Sequence, residues 1–393
     1  MTDDDLVLRA EHLSVVYDGP RPTRAVRDVG FELRRGELLG IAGESGCGKS
    51  TLAYAVGRML RPPARLTGGR VVHRGRDGTE TDVLALEGEA LRAFRWSTLS
   101  IVFQSAMNAL NPVTTVGRQF EDIFRAHRPA MRGPERRERA RALLDMVGID
   151  PARTRAYPHE LSGGMRQRVV IAMALALEPE IVIMDEPTTA LDVVVQREIL
   201  DEVQRLRDEL GFSVVFITHD LSLLLEISDR LAVMYAGSIV EHGPAERIVR
   251  PAERAERTPF GGSAGAGGSA GAAGLLGSVG PAGPAHPYTQ GLLRSFPDLA
   301  GERRTLRGIP GSPPDLRDDL PGCPFAPRCD HAFAPCATDP PRLLPVAPAG
   351  SAACHLAHAA DPPGAPGGEG APSSAVPPGA GYGAGALDER RQS

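Results

Sequence analysis

The stretch GESGCGKST, residues 43–51, decides the fold. It fits the pattern G-x-x-x-x-G-K-[ST], follows the apolar run Leu38 to Ala42 and precedes a helix-forming segment, which is the context that a phosphate-binding loop requires. In such a loop the backbone N–H groups converge on phosphates, Lys49 neutralises β- and γ-phosphate charge, and the Ser50 hydroxyl can ligate Mg²⁺. The candidate nucleotide contacts are Gly43, Glu44, Ser45, Gly46, Cys47, Gly48, Lys49, Ser50 and Thr51.

The basic residues of the chain support this interpretation. Of the 44 lysines and arginines, only Lys49 is a lysine. Such a preference for arginine is typical of a GC-rich genome, so the one position that keeps a lysine is informative about function. A compact ammonium fits between two phosphates where a broad guanidinium does not. The composition therefore favours a phosphate-binding role for Lys49.

Length and charge narrow the class of protein. A chain of 393 residues can hold a full α/β domain with a smaller appended region. Its formal net charge of -5 argues against nucleic-acid binding by bulk positive charge. The longest apolar run, Val169 to Leu177, is far below the roughly 20 residues of a membrane-spanning helix, and the acidic N-terminus does not resemble a secretory signal. We expect a chain that stays in the cytoplasm.

The hydrophobic pattern predicts an α/β fold. Residues 6–41 alternate as in an antiparallel set of short strands that ends in Leu38 to Ala42. More strand-like pieces are predicted over 66–103 and helices over 113–160. From 161 to 245 helices alternate with apolar strands, as in a mostly parallel sheet covered by helices. Those strands are Ile181 to Met184, Val214 to Thr218 and Leu231 to Tyr235.

Composition also predicts the domain boundaries. Residues 1–256 form the main domain, and the Gly/Ala/Ser-rich segment 257–283 is expected to be a flexible linker. Residues 284–358 form a compact module that contains four cysteines. The Pro/Gly/Ala-rich residues 359–393 are expected to be a disordered tail.

A second acidic motif lies at the end of a predicted strand. In IVIMDE, residues 181–186, Asp185 is placed to hold Mg²⁺ directly or through water, and Glu186 to polarise an attacking water. A strand that ends in Asp-Glu is common by itself. The motif is more informative here because it follows Lys49 at a sequence separation typical of a single domain.

A third motif makes the resemblance specific. LSGGMRQR, residues 161–168, resembles the signature motif of ABC ATPases, and its Ser-Gly-Gly helix start offers a hydroxyl and open N–H groups to an anion. Other landmarks of that superfamily also match in order. They are Tyr17 as the aromatic on adenine, Gln104 in VFQ, Ala190-Leu191-Asp192 as the D-loop, and His219 in ITHD.

This resemblance implies a fold and a mechanism. The fold is a P-loop NTPase cassette with a RecA-like α/β core, an antiparallel β subdomain and a helical subdomain. Two cassettes meet head to tail, so that Ser162, Gly163 and Gly164 act on a partner's nucleotide. His219 contacts the γ-phosphate, and Gln104 senses Mg²⁺ and the water while linking the site to residues 105–160, which meet the membrane subunits.

Other stretches resemble the ATP-binding subunits of oligopeptide and dipeptide importers, a group that includes nickel importers. They are QSAMNALNP (104–112), PHELSGGMRQRV (158–169), DEPTTALDVVVQ (185–196), HPYTQGLL (286–293), GIPGSPPDL (308–316) and GCPFAPRC (322–329). The implied partners are two permeases, a second ATP-binding subunit and an extracytoplasmic solute-binding protein, with this chain peripheral on the cytoplasmic membrane face. The insertion at about 257–283 departs from the family pattern and leaves the packing of the C-terminal module open.

The cysteines of that module suggest a metal centre. Cys323, Cys329, Cys336 and Cys354 follow the spacing C-x5-C-x6-C-x17-C. Thiolates gathered in this way suit a [4Fe-4S] cluster or Zn²⁺, and some members of the family carry the cluster. Unligated cysteines remain an alternative, and His331 and His355 are spare nitrogen ligands in the zinc case. Cys47 is expected to be a small loop residue without redox function.

Two other ATPase classes fit the sequence less well. A chromosome-maintenance or DNA-repair ATPase separates its motifs by a long coiled coil, and no extended heptad pattern lies between Gly43 and Ser162. A translation-factor ABC protein needs two ATPase halves, and this sequence has one set of motifs. The sequence therefore predicts an ATPase coupled to transmembrane transport, with peptides as the expected substrate and nickel or another small solute as the alternative.

Overall fold

The computed structural model describes residues 5–104, 109–189, 191–249, 284–295, 308–347 and 349–359. The described residues up to Ala359 belong to one compact unit. The linker predicted at 257–283, and all but the first residue of the tail predicted at 359–393, lie outside the described residues. The boundaries at 256 and 284 therefore stay predictions.

The described strands fall into two sheets. In chain order they are β1 (Leu6–Tyr17), β2 (Thr23–Arg34), β3 (Leu38–Ala42), β4 (Ala64–Arg74), β5 (Glu80–Asp82), β6 (Leu99–Val102), β7 (Ile181–Asp185), β8 (Ser213–Ile217), β9 (Arg230–Tyr235), β10 (Ser238–Pro244), β11 (Leu344–Pro345) and β12 (Ser351–Ala352). The first sheet has the order β2-β1-β4-β5, and the second has the order β11-β12-β10-β9-β3-β8-β7-β6.

Helices cover the second sheet and build a separate helical region. They are α1 (Lys49–Val56), α2 (Gly88–Ser97), α3 (Val116–His127), α4 (Gly133–Met146), α5 (Gly163–Ala174), α6 (Val193–Leu210), α7 (Leu221–Ile227), α8 (Ala245–Val249), α9 (Pro287–Arg294), α10 (Ala334–Thr338) and α11 (His355–His358). In the part of the chain that the structure describes, none of them is long and apolar enough to cross a membrane.

The first sheet confirms the antiparallel strands predicted over 6–41, with one correction. β1 pairs antiparallel with β2 and with β4. The expected last member of the set, β3, lies instead in the second sheet, where it pairs parallel with β8 and β9. All five residues of β3 are buried, and a strand covered on both faces is typical of a parallel sheet between layers.

The second sheet contains the predicted parallel strands. β6, β7, β8, β3 and β9 all run parallel, while β10 returns antiparallel to β9. Neighbouring residues of one strand face two different cores. Val182 packs with the helices α3 to α7, whereas Ile183 packs with α1 and the first sheet. The helices predicted over 113–160 are confirmed as α3 and α4.

The region 66–103 differs partly from the prediction. It contains β4, β5 and β6 as expected, but also α2. α2 fully buries only Phe94, and its helical backbone is interrupted at Arg95 and Trp96. A short helix with one fully buried side chain and a kink near its end is hard to distinguish by sequence pattern from the strands around it.

The C-terminal module packs directly on the cassette. β12 pairs with β10 through Glu241 and Ala352, which continues the second sheet. The rings of Tyr235 and Tyr288 lie 4.5 Å apart, and Phe325 lies 5.4 Å from each of them. The insertion at 257–283 therefore does not prevent close packing of the residues on either side of it.

Candidate functional site

The loop at 43–51 has the backbone that a phosphate cradle needs. It connects β3 to α1, and Gly43 and Gly48 have φ of 152° and 106°, which side chains rarely tolerate. A Cβ on Gly43 would lie 2.3 Å from the Met234 carbonyl oxygen, and one on Gly48 would lie 2.1 Å from that of Ala25. Only glycine fits at both positions, because the backbones of β2 and β9 lie directly against the loop.

Lys49 is held inside this curl. The side chain is buried, and Nζ donates to the carbonyl oxygens of Gly43 at 2.7 Å and Glu44 at 3.0 Å. Nζ also lies 3.8 Å from Sγ of Cys47, whose thiol is buried and has a pKa raised by that burial. The ammonium is therefore fixed by the loop itself before any phosphate binds.

Asp185 and Ser50 form a pair suited to Mg²⁺. The Ser50 hydroxyl donates to Asp185 Oδ1 at 3.0 Å, while Oδ2 is buried without a hydrogen-bond partner among the described atoms. Burial raises the pKa of Asp185, and the nearby carboxylate of Glu186 adds to the effect. A hard cation bound by carboxylate and hydroxyl oxygens would use the unpaired oxygen and relieve both costs. The residues present thus fit Mg²⁺.

Glu186 gathers two predicted catalytic residues around its carboxylate. Gln104, just after β6, donates from Nε2 to Glu186 Oε2 at 3.1 Å, and Thr189 donates to the same oxygen at 3.0 Å. His219, just after β8, places Nδ1 at 3.3 Å from Oε1. Because parallel strands end at one edge of the sheet, three distant segments meet here.

Glu186 itself has a strained backbone. Its φ is 48°, in the left-handed region that disfavours side chains, and its N–H donates to the Ile217 carbonyl of β8 at 2.8 Å. Strain of this kind is found at functional sites, where the surrounding structure holds it in place. The bond to β8 holds the backbone of Glu186 in this conformation.

Tyr17 lies beside the phosphate loop. It is the last residue of β1, and its hydroxyl is 3.0 Å from Thr51 Oγ1 in the first turn of α1. The ring is therefore close to the loop, as the prediction requires. Its stacking on adenine stays a prediction.

The signature residues lie beside the D-loop residue Asp192, and the hydrogen bonds of Ser162 and Asp192 are to the starts of their own helices. Ser162 caps α5 by accepting from the Met165 N–H at 3.2 Å, and Asp192 caps α6 by accepting from the Val195 N–H at 3.0 Å. A Cβ on Gly164 would lie 2.7 Å from Val195 Cγ1, so the two helix starts abut. No hydrogen bond joins this group to the phosphate loop within the described segments. Ala190, the first D-loop residue, lies outside those segments.

Burial and neighbouring cysteines raise the thiol pKa of Cys323, Cys329 and Cys354. Burial raises the pKa of Cys323 to about 11, with the nearby Cys336 and Cys354 contributing, and the pKa of Cys329 is raised for the same reasons. The Cys323 N–H donates to the Cys336 carbonyl at 2.8 Å. Nevertheless, no group of three or more His, Cys, Asp or Glu side chains in the described ranges is arranged to hold a metal ion. The prediction of a metal centre therefore rests on the sequence.

Two residues at the site were missed by the sequence analysis. The Tyr288 hydroxyl accepts from the Glu44 N–H at 2.9 Å, and Arg328 pairs with the Glu44 carboxylate. Both lie in stretches that carry the importer resemblance, HPYTQGLL and GCPFAPRC. That resemblance was the available signal, but it did not reveal a contact with the phosphate loop.

Known proteins resemble this chain over most of its length. The ABC transporter family matches residues 26–189, and the oligopeptide/dipeptide transporter C-terminal region matches residues 282–336. A putative peptide import ATP-binding protein of Brucella ovis is 42% identical over 336 residues, which cover 82% of this chain and 88% of that protein. The oligopeptide transport ATP-binding protein OppD of Mycobacterium tuberculosis is 41% identical over 353 residues, which cover 88% of this chain and 51% of that protein.

Solved structures show the same cassette. The dimeric ATP-binding cassette MJ0796, in a post-hydrolysis state bound to ADP and Pi, is 31% identical with a TM-score of 0.53, and the match covers 61% of this chain and 98% of that chain. A second match, cbiO1 from Clostridium perfringens, part of the ABC transporter complex cbiONQ, is 27% identical with a TM-score of 0.50 over 62% of this chain and 90% of that chain.

Proposed function

Since the chain belongs to the ATP-binding proteins of the ABC transporter family, we propose that it hydrolyses ATP to drive the import of di- and oligopeptides. The observation that carries the proposal is the convergence of Gln104 and His219 on the carboxylate of Glu186, next to the Ser50–Asp185 pair. The peptide substrate is supported by the names of the relatives and by the match of the C-terminal region.

The roles of the site residues follow from their positions. The phosphate loop and Lys49 bind the β- and γ-phosphates, and Ser50 and Asp185 hold Mg²⁺, which neutralises phosphate charge when bound. Glu186 accepts a hydrogen bond from the attacking water and orients it, while Gln104 and Thr189 fix the direction of its carboxylate. His219 is placed to contact the γ-phosphate.

The site is proposed to be completed by a second cassette. Ser162, Gly163, Gly164 and Asp192 form their own face and make no hydrogen bond to the phosphate loop of the same chain within the described segments. The dimeric state of the related cassette supports the same arrangement here. The partner is a paralogue or a second copy, and two permeases place the pair at the membrane.

Dependence on assembly is the first prediction. We expect the purified chain to hydrolyse ATP slowly and the rate to rise by about tenfold or more with its permeases and partner ATPase, because half of each site is supplied by another chain. Phosphate release at several protein concentrations measures this. Full transporter rates from dilute monomer, with no concentration dependence, would contradict the shared site.

The substrate is tested in the same complex. In proteoliposomes that contain the permeases, the ATPase pair and the solute-binding protein, oligopeptide should stimulate hydrolysis and accumulate in the lumen. Stimulation by Ni²⁺ without peptide would support the nickel alternative and overturn the peptide assignment. A rate that responds only to DNA would overturn transport itself.

A metal centre at the four cysteines is a further proposal. Its support is their spacing and the raised thiol pKa of Cys323, to which the nearby Cys336 and Cys354 contribute. Crowded thiols are costly without a cation, whereas a bound cluster would link a small module with little core of its own. We propose [4Fe-4S], with Zn²⁺ as the alternative.

Anaerobic purification tests this proposal. We expect brown protein with about four irons per chain, and loss of colour with faster proteolysis of the module in the double variant Cys329→Ser, Cys336→Ser. The matched control is Cys47→Ser, which should keep the iron. One zinc per chain would replace the cluster by the zinc alternative, and neither metal would refute the site.

A further inference from the structure

Arg328, in the C-terminal module, reaches the phosphate loop. It ends a short 3-10 turn, Ala326–Arg328, and its guanidinium donates from Nη1 to Glu44 Oε2 at 2.9 Å and from Nη2 to Oε1 at 3.1 Å. Two parallel bonds between a guanidinium and a carboxylate are among the strongest pairings in proteins. The Arg328 side chain is only 6% exposed and that of Glu44 is 23% exposed, so solvent screens the pair weakly.

The guanidinium is held from several sides. Its Nε donates to the Pro310 carbonyl at 2.7 Å, and Nη1 donates to the Tyr235 hydroxyl at 3.3 Å. It also lies over the rings of Tyr235 and Phe325, at 5.8 Å and 6.0 Å from their centres. Contacts with the module and with β9 therefore hold the Arg328 guanidinium in the orientation in which it pairs with Glu44.

Glu44 lies where its charge matters. It is the second residue of the loop, its N–H donates to the Tyr288 hydroxyl, and its carbonyl accepts from Lys49 Nζ. A free carboxylate at this position would repel a triphosphate bound by the same loop. Arg328 cancels that charge and turns the carboxylate toward the C-terminal module.

We propose that Arg328 is a positioning residue for ATP binding, acting by neutralising and restraining the Glu44 carboxylate. The inference rests on the proposed binding of ATP phosphates at residues 43–51. It makes the C-terminal module part of the nucleotide site, through a charge supplied from beyond the 257–283 segment.

The test is the dissociation constant of MgATP and MgADP for the full chain, measured by calorimetry. Arg328→Gln should raise Kd for MgATP by about tenfold, because Glu44 is left uncompensated beside the phosphates. The rise should be smaller for MgADP, which carries less charge, and should shrink at high salt. Adding Glu44→Gln should return Kd to within about threefold of the parent value, since no charge is left to repel ATP.

Controls separate this inference from loss of fold and from failure of the proposed function. Arg125→Gln breaks an exposed arginine pair, with Asp122, on α3 and should leave Kd unchanged. Lys49→Ala should abolish ATP binding; retained binding there would overturn the proposed function instead. If Arg328→Gln does not fold, Glu44→Gln alone decides, since it leaves the Arg328 charge uncompensated beside the loop and should lower Kd for MgATP.

Two results would overturn the proposal about Arg328. One is unchanged ATP affinity in Arg328→Gln while Lys49→Ala loses binding. The other is a double variant as weak as the single one, which would mean that Arg328 has only a structural role. Unchanged or weaker binding in Glu44→Gln alone would have the same meaning.

Discussion

Glu186→Gln is expected to lower kcat for ATP hydrolysis by about 100-fold or more while Kd for MgATP stays within about threefold. The amide cannot accept a proton or orient water as the carboxylate does. It still fills the space between Gln104, Thr189 and His219, and the phosphate loop is untouched. Phosphate release in the assembled transporter and nucleotide binding by calorimetry measure the two quantities.

A matched carboxylate checks that the effect is local. Glu198 pairs with Arg168 on the surface of α6 and is 57% exposed. Glu198→Gln should keep the parent rate, because it changes the same chemical group far from the loop. Wild-type-like hydrolysis in Glu186→Gln would remove Glu186 from the mechanism.

Glu241→Ala is expected to lower the free energy of unfolding by about 3 kcal/mol or more, as found when one partner of a buried ion pair is removed. Glu241 is fully buried and accepts from Arg247 Nη2 at 2.7 Å and from the N–H groups of Ala285 and His286 at 2.8 Å and 3.0 Å. The variant removes the acceptor that ties the start of the C-terminal module to β10. Urea unfolding monitored by circular dichroism measures the change.

Two controls test whether loss of the buried carboxylate causes this drop in the free energy of unfolding. Glu241→Gln keeps an oxygen acceptor and should cost less than Glu241→Ala. Glu209→Ala breaks an exposed pair with Arg205 on α6 and should cost under about 1 kcal/mol. Equal losses in Glu241→Ala and Glu209→Ala would show that the buried carboxylate has no special role in docking the module.

The residues proposed to be catalytic could be located in the sequence because most of them belong to short continuous motifs. Lys49 and Ser50 lie in one loop, and Asp185 and Glu186 end one strand. A local pattern of this kind is visible without knowing the fold, since the spacing itself encodes the strand, turn and helix. The structure then showed Gln104 and His219 on the same carboxylate, because their strands are parallel neighbours of β7.

The sequence was less informative where packing decides the structure. The alternation over residues 6–41 predicted strands but assigned β3 to the wrong sheet, since a pattern gives burial and not pairing partners. α2 was not predicted among these strands, because it is a short helix with one fully buried side chain, Phe94, and a kink at Arg95 and Trp96. These are consequences of tertiary contacts that no local window contains.

The sequence by itself determined that this chain is an ABC cassette and located the loop that is proposed to bind phosphate, because such a motif specifies its backbone shape through neighbouring residues. Only the tertiary structure decided what surrounds that loop. Glu44 and Arg328 are 284 residues apart, and Tyr288 reaches the same glutamate from another segment. Such a charge pair forms only when β9, β10 and the C-terminal module have packed together, and its strength comes from the burial that this packing creates.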